Sequence, residues 1–349
     1  MKSTFKRLLA WCLCLVLVTA LLPLPTLAVT AADTIPQNHY GSYETLSTIY
    51  NQGDCFSMQG MTMNSTYTYC AKVNTDTDAS ACIIRTNIST GAKTVIINGA
   101  TGGYYFSNLG HANCLDTEWF GNCNQLLVTG GYNLIRLKIS GSTLTTAGTY
   151  TASYNGSSLS MTAVQIMNAT EHELKLLVKN GRNLYTGTLN PAASSGNIVL
   201  TKLCSLNISS ARLKGQTYDF SSYLQQGMDY HDGKLFLPLS GNSQMDTSVV
   251  LVYDLKGATG ELKNDPTLSF RIISSSYAAL FEIEDVAVCP QTGRLYFNTN
   301  RRMSSSDTNH DSCSYFSDYV YDPTMSTTGP GDYRWETVNN ELVSVTDGG

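Results

Sequence analysis

Five stretches of the chain superimpose: Ser57-Met58-Gln59-Gly60-Met61, His111-Ala112-Asn113-Cys114-Leu115, Ser160-Met161-Thr162-Ala163-Val164, Leu224-Gln225-Gln226-Gly227-Met228 and Glu282-Ile283-Glu284-Asp285-Val286. Each ends in a large apolar residue and carries a polar residue two places before it: Gln59, Asn113, Thr162, Gln226 and Glu284. They recur at roughly fifty to sixty-five residues, and such a period means that one supersecondary unit has been stacked on copies of itself. This constrains the fold more than any local pattern does.

Each anchor is followed by three more short apolar or alternating runs separated by turn residues. After the second anchor these are Gln125 to Thr129, Leu134 to Ile139 and Leu144 to Tyr150; after the fourth, Lys234 to Pro238, Val249 to Leu255 and Leu268 to Ile273. His231-Asp232-Gly233 and Gln291-Thr292-Gly293 read as hairpin turns. The last repeat takes its fourth strand from Tyr333 to Val338 or Glu341 to Val345, and residues after Asp33 are expected to add a closing strand. No long stretch has helical periodicity. Four antiparallel strands repeated five times give an all-β, five-bladed β-propeller; a sandwich or a pair of β domains is the alternative.

Lys2, Lys6 and Arg7 precede an uncharged apolar run from Leu8 to Leu22, broken by Pro23 and Pro25 and followed by small residues at Ala28, Ala31 and Ala32. This is the form of a secretory signal peptide, expected over residues 1–32, with the propeller over 33–349. The run is short for a membrane span, and no second one exists, so no membrane span is expected in the mature protein. Of the 10 cysteines, Cys12 and Cys14 fall in this segment. In an oxidising compartment the others allow disulfides, and Cys70–Cys82, Cys114–Cys123 and Cys289–Cys313 are the pairs close in sequence. No pair has zinc-ligand spacing. A net charge of -5 without basic clusters argues against nucleic-acid binding. A monomer is expected.

In a propeller the first strand of each blade faces the central channel. Residues two apart on a strand share a face, so the five polar anchor positions should converge on one level. Ser57, His111, Ser160, Leu224 and Glu282 would form a second. Gln59, His111, Asn113, Gln226, Glu282 and Glu284 are therefore the candidate binding residues. Amides and carboxyls in this density suit a hydroxyl-rich ligand such as a glycan. The same oxygens could hold calcium, though no metal or cofactor is required. Tyr104, Tyr105, Tyr154, Tyr218, Tyr223 and Tyr277 fall in connections leading to this mouth, where Tyr105 and Tyr223 are candidates to stack on sugar faces. Phe106, Phe220 and Phe281 are expected to pack between blades. A wet channel with no ligand is the simpler reading of the same ring.

Catalysis is weakly signalled. Glu284 and His111 are the acid–base candidates, with Asp116 or Asp229 as a second carboxyl for a hydrolase. No serine elbow, zinc-protease, phosphate-loop or dinucleotide motif occurs. His111-Ala112-Asn113, Gln226-Gly227-Met228-Asp229-Tyr230-His231-Asp232-Gly233 and Glu282-Ile283-Glu284-Asp285-Val286 resemble the anchors of TagC-like propellers, the group of teichoic-acid biosynthesis protein C and phage receptor-binding propellers. The resemblance implies a secreted five-bladed propeller at the bacterial envelope, associated with wall glycopolymers. The chain departs from it at Cys114, where an acidic residue commonly follows His-Ala-Asn, which weakens a metal or catalytic role there. The expectation is thus a secreted propeller binding a glycan or wall polymer at its axial mouth, against a polymer-cleaving hydrolase or lyase of the same fold, or a protein-interaction platform.

Overall fold

The computed structural model describes residues 39–40, 43–120, 123–170, 172–213, 216–241, 248–272, 274, 276–277, 279–307, 310–321, 333–338 and 341–346. The proposed signal segment, residues 1–32, lies outside them. The chain divides into two units, Met1–Gln37 and Asn38–Gly349, and every strand belongs to the second. All regular elements among the described residues are strands. No helix there is long and apolar enough to cross a membrane.

The sheets that follow the repeats lie in a propeller-like arrangement. The first comprises Ser57–Met63, Tyr67–Val73, Ala81–Asn87 and Lys93–Val95, and the second is built on Leu115–Phe120, Cys123–Gly130, Asn133–Ser140 and Thr143–Tyr154. The third uses Ala163–Ala169, Leu174–Asn180, Asn183–Leu189 and Thr201–Leu206. In the fourth, Leu224–Gln225 and Asp229–His231 both pair with Lys234–Ser240, followed by Ser248–Asp254 and Phe270–Ile272. The fifth holds Leu280–Val288, Arg294–Arg302 and Ser312–Val320.

The outermost strand of the fifth sheet comes from the other end of the chain. Tyr43–Thr48 pairs antiparallel with Ser312–Val320, the closing strand expected after Asp33. Neither Tyr333–Val338 nor Glu341–Thr346 takes that place; they pair with each other as a separate hairpin. The run from Ile198 to Leu203, where a fourth strand of the third repeat would fall, is also split. Ser195–Val199 runs parallel to Thr143–Tyr154 of the second sheet, and only Thr201–Leu206 joins the third. An exposed edge recruits whichever strand reaches it first, and sequence order does not say which that is.

Apolar burial explains why the sheets stack. Alternate residues of one strand go to opposite faces. Leu235, Leu237 and Leu239 pack against Leu177 and Leu184 of the third sheet, while Phe236 packs against Ile283 and Phe297 of the fifth. Leu126 and Val128 meet Tyr69 and Ile83 of the first sheet; Leu127 meets Leu176 and Val178 of the third. A fifth cluster joins Met61, Cys70 and Ile84 of the first sheet to Ala287, Tyr296 and Cys313 of the fifth. The core is thus five interfaces, each between neighbouring sheets. A strand such as Lys234–Ser240 is buried along its whole length because both of its faces are covered.

Short-range spacing misjudged the cysteines. Cys55, Cys70, Cys82, Cys114, Cys204, Cys289 and Cys313 are all buried free thiols, so Cys70–Cys82, Cys114–Cys123 and Cys289–Cys313 are not disulfides in this structure. The physical reason is register. Cys82 is opposite Lys72, and Cys70 is opposite Ile84, so the chain reversal between Cys70 and Cys82 carries them past each other. The side chain of Cys123 lies outside the described residues.

Candidate functional site

The inner strands are joined around a cycle by side chains that reach a neighbouring backbone. Asp285 accepts from the Met61 amide at 2.9 Å and Asp229 from the Val288 amide at 2.9 Å. Asp116 accepts from the Ile166 amide. Gln165 donates to the Leu115 carbonyl at 3.1 Å and accepts from the Tyr230 amide at 3.3 Å. Gly60 N donates to the Ala112 carbonyl at 2.8 Å, which links the first sheet to the approach to the second. Asp116, Gln165 and Asp229 each follow directly on the large apolar residue of their anchor, and Asp285 precedes it. This second polar register was the signal that sequence reasoning passed over. Asp116 and Asp229, considered as second catalytic carboxyls, belong to these seams and line no part of the axial pocket.

That pocket, of about 540 Å³, lies around the ends of the same strands. Gln59, His111, Asn113, Gln226, Glu282 and Glu284 all line it, together with Ser57, Thr162 and Leu224. An adjoining cavity of about 340 Å³ shares Ser57, Glu282 and Asn300 with it, and adds Arg302 and Asp311. Ser160 is not among the lining residues, but Met161 is. Tyr105 and Tyr223 line neither cavity. Tyr105 is an exposed ring whose hydroxyl donates to the Gln52 carbonyl. Tyr223 lies edge-on to Phe220 at 4.9 Å, in the packing between the third and fourth sheets. Phe106, Phe220 and Phe281 are buried as expected.

The geometry that brings these residues together is not plain strand alternation. Of the six candidate binding residues, only Gln59, Glu282 and Glu284 sit within inner strands. His111 and Asn113 precede Leu115–Phe120, on a turn where Ala112 takes a left-handed φ of 48°. Thr162 also precedes its strand, and Gln226 sits in the gap between Leu224–Gln225 and Asp229–His231. Two of the inner strands change register where they carry the site, between Met58 and Met61 and between Ile283 and Asp285. A bulge of this kind re-aims a side chain. It is why Asp285 enters the seam while Glu284 faces the pocket.

The carboxyls are the focus of the site. Glu284 is 4 % exposed and accepts from Asn300 Nδ2 at 2.6 Å. Asn300 is fixed in turn by Met58, whose amide donates to Asn300 Oδ1 at 2.8 Å. Gln226 Nε2 donates to Glu282 Oε1 at 3.1 Å. Burial, reinforced by the Glu282 carboxyl beside it, holds the Glu284 carboxyl well above the usual carboxylate range. Gln59 is 5 % exposed, and its Oε1 has no hydrogen-bond partner; neither has buried Gln225 Oε1 in the same wall. At the rim, His111 Nδ1 lies 2.8 Å from Asp78 Oδ1. Asp78 has a left-handed φ of 52°, a conformation uncommon away from glycine. No cluster of three or more histidine, cysteine or carboxylate side chains suited to a metal occurs among the described residues.

No family model and no curated protein matches the chain. Among solved structures it is similar to an engineered GH43 glycoside hydrolase with endo-xylanase and exo-arabinofuranosidase activity, at 10% identity and a TM-score of 0.42, covering 86% of this chain and 54% of that one. The chain thus spans about half the length of that enzyme. It is also similar to the GH43_1 enzyme of Xanthomonas citri, at 8% identity and 0.44 over 87% and 94%. A third similarity is to the tail fiber of Staphylococcus aureus phage P68, at 10% and 0.46 over 78% and 52%.

Proposed function

We propose that the five sheets form a closed five-bladed propeller, secreted from the cell, whose axial pocket binds a glycan or wall glycopolymer. The observation that carries this reading is the convergence of Gln59, Asn113, Thr162, Gln226 and Glu284 from five repeats on one pocket of about 540 Å³. Its size suits one or two sugar rings. Its walls present amides, hydroxyls and carboxyls, which satisfy sugar hydroxyls in donor–acceptor pairs. The resemblance of the anchors to TagC-like propellers supports the same reading, as does the composition of an extracellular β protein. Calorimetric titration of purified residues 33–349 with neutral, acidic and amino oligosaccharides tests it. Binding to one class, weakened about tenfold or more by Gln226→Ala, is expected from the loss of a buried hydrogen-bonding partner. Absence of binding across the panel would sink the proposal.

A second reading is favoured by one specific arrangement. Burial, with Glu282 beside it, raises the Glu284 carboxyl and favours the protonated form that a general acid needs, and His111 is oriented by Asp78 on the same pocket. An enzyme cleaving the bound polymer would then use Glu284 as acid and His111 as base. Incubation with each bound glycan, followed by mass spectrometry, distinguishes the two. Cleavage that Glu284→Gln abolishes while binding persists means catalysis; intact glycan after prolonged incubation means binding alone.

A further inference from the structure

The pocket wall carries two neighbouring carboxyls and no lysine or arginine among the described residues. Glu282 and Glu284 share its wall, and the amide groups of Gln226 and Asn300 reach only the Oε1 atom of each. Gln59 and Gln225 line the same space, and the Oε1 atom of each is buried without a hydrogen-bond partner. A buried amide oxygen left unpaired costs about 1–3 kcal/mol, so each of these oxygens is an acceptor that a ligand donor would satisfy. Arg302 belongs to the adjoining cavity, where its charge acts on Asp311. His111, the remaining basic group of the pocket, is engaged by Asp78.

A hard metal ion fits this set less well than a hydrogen-bond donor. Calcium takes six to eight oxygens. Gln226 and Asn300 turn N–H groups, not oxygens, toward the two carboxyls, and Asn300 Oδ1 is already used by the Met58 amide. A primary ammonium has three donors and one charge, and meets two carboxyls and a carbonyl oxygen without needing a full coordination shell.

We infer that the pocket takes an amino sugar, with the protonated amine of the ligand between Glu282 and Glu284 and its hydroxyls toward Gln59, Asn113 and Thr162. This rests on the glycan reading of the same pocket and narrows it to one substrate class. A glucosamine hexamer and an N-acetylglucosamine hexamer separate the two claims, because they differ only in whether the amine is free. The glucosamine hexamer is expected to bind at least about tenfold more tightly at pH 6, since acetylation removes both the charge and two donors. Glu282→Gln, which keeps the acceptor for Gln226 and lies at the partly exposed end of the pair, should abolish that preference while the melting temperature stays near that of the parent. Equal or tighter binding of the acetylated hexamer would overturn the amine assignment and leave the glycan reading standing. Binding of calcium chloride alone, lost in the same variant, would overturn it in favour of a cation site. Failure of both hexamers to bind, with neutral or acidic glycans still bound, would overturn the amino-sugar class only.

Discussion

Gly60 is a residue whose identity is dictated by its neighbours across a seam. A Cβ there would lie 2.7 Å from the Ala112 carbonyl oxygen and 2.8 Å from the Cys114 carbonyl carbon, both backbone atoms that cannot swing aside. Gly60→Ala should therefore cost about 1–3 kcal/mol, as overpacking does, read as a lower urea midpoint with unchanged slope. Asp229 makes a different kind of demand. Burial raises its carboxyl from the ordinary 3.8 to about 7, against the amide of Val288, which lowers it. A carboxyl that is easier to protonate in the folded state stabilises the fold fully below pH 3.8 and loses that contribution as pH rises to about 7. Urea midpoints should thus fall between about pH 4 and about pH 7, and Asp229→Asn should flatten this part of the profile while keeping an acceptor for Val288. A profile unchanged by the substitution would show that Asp229 titrates normally. Neither residue could be singled out from sequence as a seam member. Gly60 and Asp229 flank anchor positions like many others, and only the position of the next inner strand reveals what they touch.

At the scale of elements, the repeat told which strands are innermost but not which edge each would find. Leu235, Phe236 and Leu237 alternate in a way that predicts a strand with two faces, and both faces are buried, against Leu177 on one side and Phe297 on the other. Tyr43–Thr48 has less apolar character, yet it completes the fifth sheet by pairing with Ser312–Val320. Its anchor is Tyr43, whose ring lies 5.3 Å from Phe281 and 5.7 Å from Phe297 and whose hydroxyl bonds Ser274 at 2.8 Å. Tyr43→Ala removes these contacts and leaves the edge loosely held. We expect a loss of about 2 kcal/mol or more and an increase in aggregation as the Ser312–Val320 edge is uncovered, measured by thermal unfolding and by size-exclusion chromatography. Bulges were equally hidden. The polar ring predicted from alternation does assemble, but through turns at Ala112 and register shifts at Met58 and Ile283, which alternation alone does not encode.

For the whole molecule, five apolar interfaces replace the single core of a globular domain. Each sheet depends on two neighbours, so unfolding one exposes surface on both. The thiols report on this. Cys70 and Cys313 are 0% exposed within the interface of the first and fifth sheets, and Cys313 beside it, together with burial, raises the Cys70 thiol far above its ordinary value. Thiolate is the reactive form, and for Cys70 both access and ionisation are denied. Iodoacetamide should leave Cys70, Cys114 and Cys313 unmodified in the native protein and label them on denaturation, as intact-mass spectra would show. Labelling of Cys70 or Cys313 without unfolding would mean that this interface opens locally.

The all-β class, the five repeats and the polar residue that each brings to a common place are written in the chain itself, because period and alternation are local properties that survive in any arrangement of the sheets. Which cysteines stay apart, which strand closes the fifth sheet, and that Asp116, Asp229 and Asp285 hold seams while Glu284 is left to the pocket were settled only by the folded molecule. Those outcomes depend on register and on residues hundreds of positions apart, such as Met58 with Asn300 and Met61 with Asp285. Closure of one sheet upon the next is what brings them within hydrogen-bond distance.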